Sequence, residues 1–178
     1  DWTTGVSPFG YGTDGIATDL EDQMLGRTPS VYLRKIFTVS ADDAARAEPF
    51  NLTAQPDSGF VAFINGHEIA RANLGRPNSF VFHVQSTFSS AESDGTLNDD
   101  SVVLASDVLR PGENVFAVQV QNTVPSQINE RDTTLDQSLK FEASLAVGLP
   151  DSESSTPIEL TNEDWNYRVG HAEPSGGV

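Results

Sequence analysis

The sequence predicts an all-β sandwich. Apolar residues recur with period two in several separate segments, turn signals punctuate those segments at short intervals, and no long stretch carries helical periodicity. At 178 residues the chain has the size of one domain with a tail rather than two full domains.

Each element follows from its local pattern. Residues 31–39 (VYLRKIFTV) put Val31, Leu33, Phe37 and Val39 on one face, interrupted by Lys35. Tyr32, Arg34, Ile36 and Thr38 take the other face, so both sides of this strand are expected to be partly covered. Ser40, with Asp42 and Asp43 after it, predicts a helical turn over 41–47 capped by the serine. Residues 60–64 (FVAFI) run into Asn65-Gly66, whose tolerance of positive φ makes them a hairpin turn, with 67–71 (HEIAR) as the return strand. Residues 79–85 (SFVFHVQ) predict another strand, with Phe80, Phe82 and Val84 on one side. The turn Pro111-Gly112-Glu113-Asn114 launches 115–121, where Phe116, Val118 and Val120 point one way. In 139–147 (LKFEASLAV), Leu139, Phe141, Ala143, Leu145 and Val147 face the core while Lys140, Glu142 and Ser144 face out.

Polar loops separate these strands at 86–101 and 122–137, and loops of that length in a compact domain are usually functional or mobile. Residues 148–161 (GLPDSESSTPIELT) have linker composition. Beyond them Trp165, Tyr167 and Val169 form a strand-like apolar face. The expected organisation is a sandwich over 1–147, a linker over 148–161 and a strand segment over 162–178.

Charge and composition narrow the functions. Asp and Glu number 26 against 10 Lys and Arg, a net charge of −16. Such a field repels nucleic-acid phosphates and anionic lipid, so neither partner is expected. No apolar run approaches the ~20 residues of a spanning helix, so no membrane insertion is expected. The chain has no cysteine, which removes disulfides, thiolate metal sites and thiol nucleophiles and is compatible with export.

Four segments in series resemble the galactose-binding-domain-like jelly-roll modules of bacterial secreted and surface proteins. Trp2 to Gly12 (WTTGVSPFGYG) is similar to the family's W-x-x-G-x-x-P-F-G-Y-G segment, and Tyr32 to Phe37 (YLRKIF) to its Y-L-R-K-x-F strand. Ser58 to Arg71 (SGFVAFINGHEIAR) resembles D-D-G-x-x-x-Y-L-N-G-x-E-V-x-R, with Ser58 in place of the second acid. Leu109 to Val118 (LRPGENVFAV) resembles L-x-x-G-x-N-x-x-A-V. The resemblance spans about residues 1–147 and implies a jelly-roll β-sandwich in an extracellular or cell-surface setting; it is specific for fold and not for ligand.

One piece is displaced. A W-x-Y-x-x-G-x-x-P strand precedes the P-F-G-Y-G segment in that family, whereas here Trp165 to Pro174 (WNYRVGHAEP) supplies it at the other end. Three arrangements are open: the tail closes its own sandwich, it enters a neighbouring copy, or it begins the next repeat. The linker reaches ~45 Å when extended and does not choose among them. The favoured expectation is pairing with another copy or an adjacent repeat. Trp165, Tyr167, Val169 and Gly170 would then enter a groove beside Trp2, Phe9 and Tyr11.

Other chemistry has weaker signals. Asp94, Asn98, Asp99 and Asp100 cluster oxygen ligands in one loop, and Asp14 and Asp19 in another, so Ca²⁺ is the one cofactor considered; solvated acidic loops are the plainer reading. Tyr11, Asn98 and Asn122 are candidate glycan contacts, as are Trp2, Trp165 and Tyr167, although the aromatics equally suit core packing. His67, His83 and His171 lack metal spacing, and no hydrolase or phosphate-loop motif occurs, so no enzyme is expected. The expected function is a non-catalytic module that self-associates head to tail by strand complementation, with carbohydrate binding as the alternative.

Overall fold

The computed structural model describes residues 1–54, 59–85, 87, 103–122, 138–148, 155–158 and 160–172. Strands are numbered in chain order. The larger sheet runs β1 (Thr3–Gly5), β12 (Trp165–Val169), β4 (Ser30–Val39), β8 (Gly112–Gln121), β6 (Gly59–Ile64), β7 (His67–Ala72), with every neighbouring pair antiparallel. The opposing layer is built on β9 (Leu139–Phe141) and β10 (Ala143–Val147), which only Glu142 separates. β9 pairs with β2 (Phe9–Tyr11), which carries β3 (Thr18–Asp19). β10 lies between β5 (Phe50–Ala54) and β11 (Thr156–Ile158). Among the described residues, three helices of one turn, α1 (Glu21–Met24), α2 (Ala41–Ala44) and α3 (Ala105–Val108), sit between strands. The fold is an all-β sandwich.

Period-two alternation fills the space between the layers. Val31, Leu33 and Phe37 of β4, Phe116, Val118 and Val120 of β8, and Phe60, Ala62 and Ile64 of β6 are buried in one core with Leu139, Phe141, Leu145 and Val147 from the opposing layer. Aromatic rings bridge the layers: Phe60 and Phe141 have centroids 5.9 Å apart, and Phe9 and Trp165 have centroids 6.1 Å apart. The Asn65-Gly66 turn takes positive φ at both residues, 51° and 85°, as the hairpin requires. The Asn65 amide donates to Asn114 Oδ1 at 2.8 Å and to the Val108 carbonyl, while Val115 N–H donates back to Asn65 Oδ1. Asn114, 1% exposed, also donates to the Arg110 and Gly112 carbonyls. Two motif asparagines therefore lock one hairpin tip to a neighbouring turn.

Three expectations are corrected. The Ser40-capped turn forms, with Asp43 N–H donating to Ser40 Oγ, but stops at Ala44. Residues 148–161 are not wholly a linker, because Thr156–Ile158 pairs with β10 and Arg46 Nη1 donates to Thr156 Oγ1. The tail, expected to pair with another copy or an adjacent repeat, closes its own sandwich in this structure. β12 lies between β4 and β1 of the same chain, with Tyr167 opposite Leu33 on one side and Thr3 on the other.

The fit explains this choice. Trp165, 1% exposed, meets Phe9 and Phe116, and its indole N–H donates to the Thr161 carbonyl at 2.9 Å. Lys35, the inward break in the β4 pattern, runs its stem through the core edge and donates to Thr161 Oγ1 at 3.0 Å and to the Glu163 carbonyl. At the far end Gly170 N–H donates to the Ser30 carbonyl, and a Cβ on Gly170 would stand 1.8 Å from Ser30 Oγ, so only glycine fits.

Replacing Trp165 with Ala empties a fully buried site and should cost about 3–5 kcal/mol of stability. A chain ending at Thr161 should lose cooperative unfolding, because among the described residues β12 is the one strand that pairs with β1. Urea denaturation followed by fluorescence or circular dichroism checks both; native cooperativity in the truncated chain would show that the strand is dispensable.

Candidate functional site

The outward face of the larger sheet carries the most developed surface feature among the described residues. Alternation sends Val61 and Phe63 of β6, Ala117 and Gln119 of β8, and Arg34 of β4 to this side. Glu68 and Arg71 on β7 are an odd number of residues apart and would face opposite sides of a regular strand. A register shift in the β6–β7 ladder between Ala62 and Phe63 changes the parity, so that Phe63 faces Glu68 and Val61 faces Arg71.

The two charges then form a buried pair. Arg71 Nη2 and Nε donate to Glu68 Oε2 and Oε1 at 2.7 and 3.0 Å, with the side chains 2% and 4% exposed. The same guanidinium donates to the Leu74 and Ser79 carbonyls, and Asn78 N–H donates to Glu68 Oε2 at 3.0 Å. This network fixes the course of residues 74–79. Gln119 Nε2 then donates to the Val81 carbonyl and Gln121 Nε2 to that of Phe82, carrying the chain on across the sheet.

Residues 79–85, expected as a strand with Phe80, Phe82 and Val84 on one side, are therefore not one. The Val81 and Phe82 carbonyls accept from glutamine side chains of β8, and the Ser79 carbonyl from Arg71, instead of a strand partner. Only Val81 turns inward, packing with Val61 and Leu74. Phe80, Phe82 and Val84 stand 66%, 58% and 66% exposed, and the two rings meet edge to face at 4.8 Å.

Beneath this ledge lies a cleft of about 280 Å³ lined by Phe63, Glu68, Arg71, Asn78, Phe80 and Gln119, among others. A second hollow of about 440 Å³ shares Gly66, Glu68 and Asn78 and adds His67, Val103, Asp107 and Val108. The arrangement offers a wall of the Phe63 and Phe80 side chains and the exposed Asn78 at the rim, while Gln119 and the Glu68–Arg71 pair, buried and already hydrogen-bonded, hold the floor in place and add no net charge. It suits a polar, uncharged ring that presents a C–H face.

The residues singled out in the sequence fall elsewhere. Phe9, Tyr11, Trp165, Tyr167 and Val169 are core residues, and Trp2 is partly buried at the sandwich edge. Tyr11 and Asn122 are brought together, but inside: Asn122 Nδ2 donates to Tyr11 Oη at 2.7 Å, with exposures of 3% and 4%. As glycan contacts both are corrected, because burial leaves them no ligand-facing surface. Asp14 and Asp19 are exposed, and Asp19 Oδ1 accepts from Glu21 N–H. Among the described residues no three His, Asp or Glu side chains converge on a common point. Asp94, Asn98, Asp99 and Asp100 lie outside the described residues. Sequence reasoning missed Glu68, Arg71, Asn78 and Gln119; the Glu-x-x-Arg spacing was visible, but the bulge that pairs its ends was not.

No protein-family model matches the chain, and no curated protein matches it. Among solved structures, it is similar to parts of two much longer chains. One is a Streptomyces avermitilis alpha-L-rhamnosidase complexed with L-rhamnose, with 14% identity and a TM-score of 0.45 over 84% of this chain and 11% of that one. The other is an alpha-L-rhamnosidase from Dictyoglumus thermophilum, with 17% identity and a TM-score of 0.44 over 95% of this chain and 16% of that one.

Glu68→Gln leaves a buried guanidinium without its counter-charge and should cost about 3–5 kcal/mol. Glu68→Met with Arg71→Met should cost less than the single change, since no charge is stranded. Thermal and urea unfolding compare the two; a silent single variant would show that the pair does not hold 74–79 in place.

Proposed function

We propose that this chain is a non-catalytic, galactose-binding-domain-like sandwich module of an extracellular or cell-surface protein, and that it binds carbohydrate at the cleft under Phe80. The observation that carries the reading is the Phe80–Phe82 edge-to-face pair, exposed beside a shallow hollow with the Asn78 amide at its rim. Sugar rings stack their C–H faces on such aromatics and exchange hydrogen bonds with neighbouring amides such as that of Asn78. The ledge is held by a buried ion pair and two glutamines, so it needs little ordering on binding.

The signature segments that suggested the family act in the scaffold: Phe9 and Tyr11 fill the core, and Asn65 and Asn114 join two turns. Ligand choice then falls to the outer face, where the strap at 74–82 supplies the contacts. A binding module of this type serves by bringing its parent protein to a polysaccharide and performs no chemistry itself.

Affinity electrophoresis and pull-down on a panel of soluble and insoluble polysaccharides test the reading. Saturable retention is expected on at least one. Phe80→Ala with Phe82→Ala should weaken it at least tenfold, about 1.4 kcal/mol, with the unfolding midpoint little changed. Absence of saturable binding across the panel, or binding indifferent to the double change, would overturn it.

A further inference from the structure

Two arginines on the same sheet face have no counter-charge among the described residues. In the β12–β4 ladder Asn166 lies opposite Arg34 and Arg168 opposite Tyr32, which makes Arg34 and Arg168 diagonal neighbours. Such positions are about 7–8 Å apart, within reach of two long side chains. Both residues are partly buried, and among the described residues neither has an ion pair or a side-chain hydrogen bond. Arg46 and Arg71, by contrast, each sit on a carboxylate. What sets Arg34 and Arg168 apart is that the ladder places two guanidiniums side by side on one face. Like charges at this spacing repel, and the repulsion is relieved when both forks close on one oxyanion.

Their place relative to the cleft matters. Arg34 pairs with Ala117, which in turn pairs with Phe63 at the cleft wall. Two strand spacings, about 10 Å, separate the arginine from the cleft, and the residue between them carries only a methyl group. Arg71 cannot serve an anion, because Glu68 already neutralises it. The net charge of −16 does not forbid an anionic ligand locally: the Debye length is about 8 Å at physiological salt, so remote acids are screened while the two arginines act at contact range.

We propose that Arg34 and Arg168 form an oxyanion subsite for the carboxylate or sulfate group of an acidic polysaccharide whose neighbouring sugar occupies the Phe80 cleft. This rests on the reading of that cleft as a carbohydrate site. The two guanidiniums hold the charged substituent, and the aromatic ledge holds the ring.

Affinity electrophoresis against polygalacturonate, a sulfated galactan and an uncharged galactan tests it, the first two separating carboxylate from sulfate. The intact chain should retain at least one acidic polymer tenfold or more above the uncharged one. Arg34→Gln with Arg168→Gln should abolish that preference while leaving uncharged binding and the unfolding midpoint unchanged. Should the double variant prove unstable, salt titration of the intact chain decides: retention on the acidic polymer should fall severalfold from 50 to 300 mM NaCl, and retention on the uncharged polymer should not. Equal retention of acidic and uncharged polymers, or a preference that survives loss of both arginines, overturns the subsite. Loss of acidic preference in the arginine variant, with Phe80→Ala silent on every polymer, would retain the subsite and remove the cleft reading.

Discussion

Closure of the larger sheet by β12 is the constraint on which the rest depends. Among the described residues β1 pairs with β12 alone, and without β12 the long strand β4 would have an open edge. Trp165 and Tyr167 both meet Phe9, so the indole and phenol from one end of the chain complete the core built around the aromatic ring at the other. An open edge and an empty indole site would each be costly, and together they explain why the tail is held at both ends. Lys35 anchors its entry through Thr161 and Glu163, and Thr28 Oγ1 donates to the Gly170 carbonyl at its exit.

The outward face shows a different use of the same sheet. A single bulge brings Glu68 and Arg71 to one side, and their pair organises a strap that leaves aromatic rings exposed. Large apolar side chains standing in solvent are uncommon in a well-packed domain, and a contiguous group of them marks a surface that meets something. The scaffold residues and the contact residues are thus separable: the former lie between the layers, the latter on the outer side of β6, β7 and β8.

Much of the fold was legible because period-two alternation and turn chemistry are local. Leu139, Phe141, Leu145 and Val147 alternate inward as read, and Asn65-Gly66 turns as its φ preferences require. The same rule failed at 79–85. Its apolar alternation is as clean as that of β6, but the glutamines of β8 take its carbonyls and turn Phe80 and Phe82 outward. Helices α1 and α3 were missed because neither carries a side-chain cap. The candidate site was hidden for a related reason: it depends on a register shift, and strand register is a property of two segments rather than one. The choice of partner for the tail was likewise invisible, since linker length admits self and neighbour alike.

Intrachain closure can be read directly from a cross-link. Thr4 of β1 and Asn166 of β12 are register partners, and the chain has no cysteine to confuse the result. Partnered Cα atoms in such a ladder lie about 4.5–5.5 Å apart, within the range a disulfide spans. Thr4→Cys with Asn166→Cys, oxidised at micromolar concentration and run without reductant, should give a single disulfide-bonded monomer of native stability. A ladder of disulfide-linked multimers would contradict the account and place the strand in a neighbouring chain.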